Sequence, residues 1–230
     1  MRQKEISDRG LVRLLPSTYH KPPALRGLVD SDDELEVLAE IEGMTSARLV
    51  AERGRNPQID PRELAWRRRK QDLRIYGETH INAAFTYTRT GGNRFNSEGR
   101  GAWYCSWDAL VSVAEVAWHR TRELGFTGHF HDRARYVEIL ADFIGTFDDI
   151  TDEPGHPALH SDPAVGYPEG QGLAKKLRRL GSRGLIYPSV RAPGNCLVCF
   201  EPNVIQNVRP GASWDLTWDG SPNYSILAIA

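Results

Sequence analysis

The chain has 230 residues, of which 40% are hydrophobic, and this is enough apolar sequence for one well-buried core. Its 29 basic and 30 acidic residues leave a formal charge of −1, so no overall field draws it to nucleic acid or to an anionic membrane. No window approaches the length of an apolar bilayer span, and no apolar run of a signal peptide follows the first residues. We therefore expect one domain, residues 1–230, in the cytoplasm and without membrane contact.

The first third of the chain, residues 1–80, is predicted to be mostly helical. Ser31 followed three positions later by Glu34 is typical of a capping box. Apolar residues then recur at helical spacing toward a stop near Gly54. The expected result is a helical N-terminal extension that precedes the rest of the fold.

A second helix start follows at Asp60 and Pro61, because aspartate caps a helix well and proline suits its first position. Residues 66–70 form a basic run. We interpret this run as a solvated helix face rather than a phosphate-binding surface, since the whole-chain charge is near zero and no aromatic platform accompanies it.

The pattern changes at about residue 81 to a strand-rich core, residues 81–230, with glycine-rich turns. Together with the helices, these strands predict an α+β fold with a compact mixed sheet. Strands are predicted at 84–88, 102–106, 184–190, 195–200, 213–218 and 224–229. One helix is predicted from Asp108 to Gly125, and another after a long loop at 156–172; residues 136–147 suit either a helix or a strand.

The three cysteines favour a reducing compartment, because an odd number without a signal peptide does not suggest a disulfide framework. Cys196 and Cys199 have the spacing of a metal-binding pair, but they lie in an apolar run that predicts a buried strand. Residues three apart on a strand point to opposite faces. We therefore predict that these sulfurs are structural and do not share a metal.

Glu115 stands out on the helix predicted from Asp108 to Gly125. At 100° per residue it points away from the expected core face, which comprises Leu110, Val113, Ala114, Ala117, Thr121 and Leu124. It shares its own face with apolar side chains as well as polar ones, which suggests the wall of a cleft. A surface glutamate paired with Arg122 or His119 is equally compatible with this spacing, and the helical wheel leaves both interpretations open.

Six short motifs follow one another along the chain. They are Arg13-Leu14-Leu15-Pro16, Ala84-Phe85-Thr86, Arg94-Phe95-Asn96, Gly101-Ala102-Trp103-Tyr104, Glu115 to His119, and Tyr187 to Arg191 followed by Asn195. In this order the chain resembles the RES domain family, named for its arginine, glutamate and serine, over about residues 10–220. Any one motif is weak, whereas six in order with compatible spacing are specific.

The resemblance implies a fold similar to that of NAD-dependent ADP-ribosyltransferases, with a cleft between two small sheets. It implies a toxin of a toxin–antitoxin pair that cleaves the nicotinamide–ribose bond of NAD, its substrate, by hydrolysis or phosphorolysis. Transfer of ADP-ribose to a protein and a non-catalytic nucleotide-binding module are the alternatives. The implied partner is an antitoxin that covers the cleft, and nucleic acid would be contacted only through that antitoxin.

The resemblance also implies catalytic roles for four residues. Glu115 would stabilise the positive charge that develops on the ribose as nicotinamide leaves. Arg94 would offer its planar guanidinium to the pyrophosphate. Tyr104 would present a ring face and a hydroxyl, and Ser189 would present a short hydrogen-bonding group.

Three further residues are expected to bind NAD on the same resemblance. Arg13 would support Arg94 at the pyrophosphate, His119 would contact ribose or phosphate or tune Glu115, and Asn195 would contact the substrate. No metal is expected, because the one candidate pair, His129 and His131, has no evident third ligand nearby.

Overall fold

In the computed structural model of the protein, the described residues are 1–20, 31, 33, 34, 37, 38, 45–64 and 77–229. The helices α1 to α4 comprise Ala47–Glu52, Glu78–Thr86, Ala109–Thr127 and Pro163–Arg179. The strands β1 to β7 comprise Arg2–Pro16, Trp103–Ser106, His131–Asp149, Gly184–Pro188, Asn195–Cys199, Gln206–Asp219 and Tyr224–Ile229. None of the helices within these ranges has the length and apolar character needed to cross a membrane.

The seven described strands form one mixed sheet in the order β1-β2-β5-β4-β3-β6-β7. The pair β3–β4 is parallel, and the other pairs are antiparallel. Because β1 also pairs with β3, the strands β1, β2, β5, β4 and β3 are joined in a closed ring. The prediction of an α+β fold with a mixed sheet is confirmed.

The helices cover different surfaces of this sheet. Helix α2 packs into one apolar cluster, which includes Phe85, Trp103 and Leu197. Helix α4 packs into a second cluster on the opposite face, and α3 packs over β1, β3 and β6 in a third. The functional site described below lies where α3, α4 and the strands β1, β2 and β5 meet.

The expectation of a mostly helical N-terminal third is wrong for residues 2–16, which form strand β1. Ile6 and Leu11 enter one apolar cluster, and Val12 and Leu14 enter another, so the strand buries side chains on both faces. The strand pairs with β3, and the paired residues are 120 or more positions apart in the chain. Local propensity cannot report a partner at that distance, which is why the sequence pattern failed here.

The strand predicted at 84–88 is also wrong, because residues up to Thr86 belong to helix α2. Gly77 begins this helix with a left-handed backbone (φ 94°), a conformation that glycine adopts without strain. Ile81, Ala84 and Phe85 are buried at helical spacing against the sheet. Burial of this face outweighs the β propensity of the aromatic and threonine residues.

The other elements follow the sequence more closely. The Asp108 side chain accepts a hydrogen bond from the Leu110 amide and caps α3. The glycine that follows the end of this helix is Gly128 rather than the predicted Gly125. The ambiguous segment 136–147 lies within β3. The loop expected at 156–172 is shorter than predicted, since α4 begins at Pro163, where proline supplies a preset helical φ.

The structure describes only some of the residues between 21 and 76, and it tests the predictions in this part of the chain accordingly. The Glu34 amide donates a hydrogen bond of 3.2 Å to the Ser31 hydroxyl, which confirms that capping contact. Asp60 caps a single 3-10 turn, Pro61–Glu63. The basic run at 66–70 lies outside the described residues, so its interpretation stays a prediction.

Cys196 and Cys199 point to opposite faces of a buried strand, as the sequence predicted. Cys196 packs into the cluster beneath α4, and Cys199 packs into the cluster on the opposite face of the sheet. Cys105, Cys196 and Cys199 are all buried free thiols. Burial raises the pKa of the Cys199 thiol to about 12, so it stays protonated and unreactive at neutral pH.

Candidate active site

A cavity of about 230 Å³ lies between α3, α4, the Arg94 loop and the strands β1, β2, β4 and β5, and it opens to solvent. Four arginines line it, at positions 13, 89, 94 and 191, and Glu115 is the carboxylate in its wall. Aromatic side chains, among them Tyr104, Trp118 and Tyr167, complete the wall. The cavity therefore combines cationic groups with flat apolar surfaces, a combination suited to an anionic ligand that carries a ring.

Glu115 is held by Ser189. The Ser189 hydroxyl donates a hydrogen bond of 2.6 Å to Glu115 Oε1, and both residues are half-buried. Among the described residues, Glu115 forms no ion pair with Arg122 or His119. Of the two interpretations that the helical wheel left open, the structure supports the cleft wall.

The turn between β4 and β5 places Ser189 against α3. The Ser189 amide donates to the Gly194 carbonyl, and its hydroxyl oxygen accepts hydrogen bonds from the Arg191 and Ala192 amides at 3.1 and 3.3 Å. Gly194 has a φ of 138°, and a Cβ there would lie 2.6 Å from a methyl carbon of Val111 on α3. The turn can approach the helix this closely only because residue 194 is glycine.

Arg94 is almost completely buried, with 7% of its surface exposed. Its Nη1 donates hydrogen bonds of 2.6 and 2.9 Å to the carbonyls of Ala158 and His160, and its guanidinium lies 5.5 Å from the centre of the Tyr167 ring. Part of the guanidinium fork is therefore used to tie the Arg94 loop to the segment that leads into α4. Arg94 also lines the cavity.

Tyr104 uses its hydroxyl within the protein. The hydroxyl donates to Asn96 Oδ1 at 2.8 Å and accepts from the Phe95 amide at 3.0 Å. Burial raises the pKa of this phenol well above its ordinary value, so the group stays protonated. The hydroxyl thus fixes the Arg94 loop, and Tyr104 also lines the cavity.

His119 lies one turn after Glu115 on α3 and also lines the cavity. Burial lowers its pKa to about 3, with a further contribution from the charge of Arg89. The distance from Arg89 Nη1 to His119 Nδ1 is 3.1 Å. Because arginine can only donate, Nδ1 is the acceptor and the proton of the neutral ring resides on Nε2.

Arg13 lies on β1, with its guanidinium 5.0 Å from the centre of the Trp103 ring, and Nη1 donates a hydrogen bond of 3.4 Å to the Tyr104 carbonyl. Asn195, by contrast, is an exposed residue at the start of β5 and does not line the cavity. The structure thus brings Arg13, Arg94, Tyr104, Glu115 and His119 to one cavity, with Ser189 behind Glu115. It does not bring Asn195 there.

Several cavity residues were not singled out from the sequence, among them Arg89, Arg191 and Tyr167. Arg191 lies flat on Trp118, with its guanidinium carbon 3.5 Å from the ring centre, and its Nη2 donates to the Ser161 carbonyl at 2.8 Å. Tyr167 comes from the first turns of α4, a segment that was expected to be loop. Arg191 belongs to the last of the six motifs, and this position could have identified it as a candidate. Tyr167 belongs to none of the motifs, so nothing in the sequence indicated its role.

The expected core face of α3 needs one correction. Leu110 is 50% exposed, whereas Val111 and Ser112 are buried. Ser112 is buried because its hydroxyl donates to the Val12 carbonyl at 2.7 Å, which satisfies a polar group within the core. Val113 and Ala117 of the expected face are buried as well, and Val111 packs into a different cluster from theirs, so α3 buries side chains on more than one face.

No cluster of three or more metal-ligating side chains occurs within the described ranges. The rings of His129 and His131 lie 5.4 Å apart near the surface at an interplanar angle of 57°, and His131 lies 3.5 Å from Asp219. The cavity offers an arginine-rich wall rather than a group of ligands.

The fold and the site together define an α+β protein with an arginine-lined cavity and a carboxylate oriented by a serine. The RES domain matches residues 64–219, most of the length of the chain. The chain belongs to the RES domain family. A comparison with curated proteins found no match.

Among solved structures, the chain is similar to the crystal structure of the M. tuberculosis MbcT–MbcA toxin–antitoxin complex. The TM-score is 0.41 and the sequence identity is 21%. The likeness covers 58% of this chain and 76% of that chain.

Proposed function

We propose that the protein is an enzyme that consumes NAD by cleaving its nicotinamide–ribose bond. The observation that carries this proposal is the hydrogen bond between Ser189 and Glu115 in the wall of an arginine-lined cavity. Membership of the RES domain family supports the choice of NAD, since the resemblance drawn from the sequence motifs implies that substrate.

The chemistry requires one well-placed carboxylate. The bond between the anomeric carbon of the ribose and the nicotinamide nitrogen breaks, and the electron pair leaves with nicotinamide, which departs as a neutral molecule. Positive charge develops on the sugar ring as in glycoside cleavage. The Glu115 carboxylate would stabilise that charge, and an acceptor oxygen would then bond to the anomeric carbon.

Ser189 would act on this reaction through Glu115. Its hydroxyl is held by two amides of its own turn and donates its proton to Oε1, so the carboxylate is fixed in one orientation. Oε2 is left for the ribose. We therefore assign Ser189 as a positioning residue, because it does not line the cavity.

The four arginines fit the pyrophosphate. Arg191 is the best placed of them to bind phosphate, because stacking on Trp118 holds its planar guanidinium in one orientation. Burial lowers the pKa of Arg191, and the charge of Glu115 opposes this shift. Arg94 and Arg13 lie deeper, with part of their donors already engaged. A cavity of about 230 Å³ accommodates only part of a dinucleotide, so the rest would extend through the mouth.

The finer structural expectations are proposals too. We propose an ADP-ribosyltransferase type of fold, supported by the mixed sheet and by a cleft beside it. We propose a single RES-like domain over residues 1–230, supported by the pairing of β1 with β3 at 13 positions. An antitoxin that covers the mouth of the cavity is the proposed partner, on the grounds of family membership.

The test is to incubate the purified protein with NAD and to quantify nicotinamide and the ribose-containing product. Hydrolysis gives ADP-ribose, phosphorolysis gives ADP-ribose phosphorylated at the anomeric carbon, and protein transfer gives a modified protein. The assay therefore includes arms with water alone, with inorganic phosphate and with added cell protein. Nicotinamide release at background in all three arms would reject the proposal in favour of a non-catalytic nucleotide-binding module.

A further inference from the structure

A second cavity, of about 630 Å³, lies at the far end of α4 from Tyr167. Five basic and two acidic side chains contribute to its wall. Its members come from the C-terminal turns of α4, from the Pro61–Glu63 turn, from Arg100 and from the segment after β5. None of these residues lines the cavity that contains Glu115.

Three of the four basic side chains of α4 are arranged on one face of the helix. Lys175, Arg178 and Arg179 follow the i, i+3, i+4 spacing that places side chains next to one another. Like charges at this spacing repel one another. Within the described part of the chain, none of the three forms an ion pair with a carboxylate.

Arg100 adds a buried positive charge to the same wall. It is only 4% exposed, pairs with Glu63 and donates to the Phe200 carbonyl at 3.1 Å. Its Nε–H has no hydrogen-bond acceptor among the described residues. Burial and the nearby charge of Arg100 lower the pKa of Arg178, with Glu63 opposing the shift, which places the cations within electrostatic reach of each other.

The helix itself accounts for part of this charge but not for all of it. Basic residues in the last turn of a helix interact favourably with its C-terminal dipole, and Lys176, Arg178 and Arg179 occupy that turn. This effect does not require the cations to converge on a cavity. Lys176 gains the same stabilisation and does not line the cavity. Arg100 is not on the helix.

We propose that this second cavity binds an anionic ligand through phosphate groups. Arginine and lysine at its rim would donate charge-assisted hydrogen bonds to phosphate oxygens, and Arg100 would add its charge from the floor. Most of the side chains in the wall are charged or polar. The aromatic residue among them, Phe200, is buried and presents no ring face on which a base could stack. Phosphate is therefore the recognised group, whether it belongs to free pyrophosphate or to a nucleotide.

The test is a titration of ¹⁵N-labelled full-length protein with inorganic pyrophosphate and, in a second arm, with ATP. Amide signals of Ser182, Glu201 and Asn203 report on the second cavity, and those of Glu115 and His119 report on the first. We expect saturable shifts at the first group of amides with both ligands. A third titration, with inorganic tripolyphosphate, is compared with ATP. Equal dissociation constants would show that only the phosphates are recognised, and a markedly lower dissociation constant for ATP would show that the nucleoside is recognised as well; both outcomes support the site.

The variant Arg178→Gln/Arg179→Gln should raise the dissociation constant for pyrophosphate at these amides by about tenfold or more, since two charged donors are lost. Lys176→Gln is the matched control, because it removes one charge from the same turn without altering the wall; its effect should stay within about threefold. Circular dichroism checks that each variant is folded, and Lys175→Gln provides a milder change should the double variant unfold. Absent shifts at Ser182, Glu201 and Asn203, or an equal loss in Lys176→Gln, would overturn the proposal.

Discussion

The Ser189 hydroxyl donates a hydrogen bond of 2.6 Å to Glu115, a residue 74 positions earlier in the chain. One residue lies in the turn after β4, and the other lies on α3. The contact therefore joins two separate elements at the wall of the arginine-lined cavity. The predictions that follow test what this contact and its surroundings do.

Glu115→Gln should lower the turnover of NAD by about two orders of magnitude or more, because it removes a negative charge facing the developing cation. Amide hydrogen bonding to Ser189 remains possible, so NAD affinity and melting temperature should change little. Steady-state rates of nicotinamide release measure the effect. Glu169→Gln, an exposed carboxylate on α4, is the control; a parental rate in Glu115→Gln would mean that another acid is responsible.

Ser189→Ala should reduce kcat by less than Glu115→Gln does and should leave KM nearly unchanged, because it loosens the carboxylate without removing it. In the double variant the two effects should not add, since Ser189 acts through Glu115. The double-mutant cycle on kcat measures this coupling. Fully additive losses would show that Ser189 has a separate role.

Arg94→Lys should weaken NAD use and also lower stability, by about 1–3 kcal/mol, because an ammonium cannot keep the two buried carbonyls of Ala158 and His160 satisfied as the guanidinium does. Urea denaturation and KM for NAD provide the two readouts. Arg9→Lys on the exposed face of β1 is the matched control and should change neither. A stable variant with altered KM alone would indicate that Arg94 serves only the ligand.

His119 should stay neutral well into the acid range. Its folded pKa is about 3, below the unperturbed value of about 6.5. The unfolded chain therefore takes up the proton first, so the stability linked to neutral His119 is complete above about pH 6.5 and declines as pH falls toward 3. Urea denaturation at pH 7, 5.5 and 4 should show a smaller decline in His119→Gln than in the parent protein. Identical pH profiles for the two proteins would contradict the prediction.

Gly170→Ala should disturb the Arg94 loop, because a Cβ at this position on α4 would collide with the backbone carbonyl of Arg94. We expect a lower melting temperature and weaker NAD use. Gly172→Ala is the control on the same helix, since a Cβ there meets nothing within 4 Å. Alanine should stabilise the helix at that position by about 0.5–1 kcal/mol. Similar behaviour of the two variants would show that the contact between α4 and the loop is unimportant.

Several elements were predictable because their signals are local. Asp108 predicts the start of α3 through a single capping hydrogen bond, and the apolar run of β5 predicts a buried strand. The order of six motifs also predicted the family, since motif order is a property of the sequence alone. The candidate residues Glu115, Arg94 and Tyr104 came from those motifs.

Other features depend on contacts between distant segments, and only the tertiary structure decided them. Strand β1 exists because β3 lies beside it, and α2 is a helix because its apolar face is buried against the sheet. The sequence could not choose between a surface position and a cleft for Glu115, because the helical wheel contains no information on what packs opposite. The turn that carries Ser189 made that choice, and it could approach α3 only because residue 194 has no side chain.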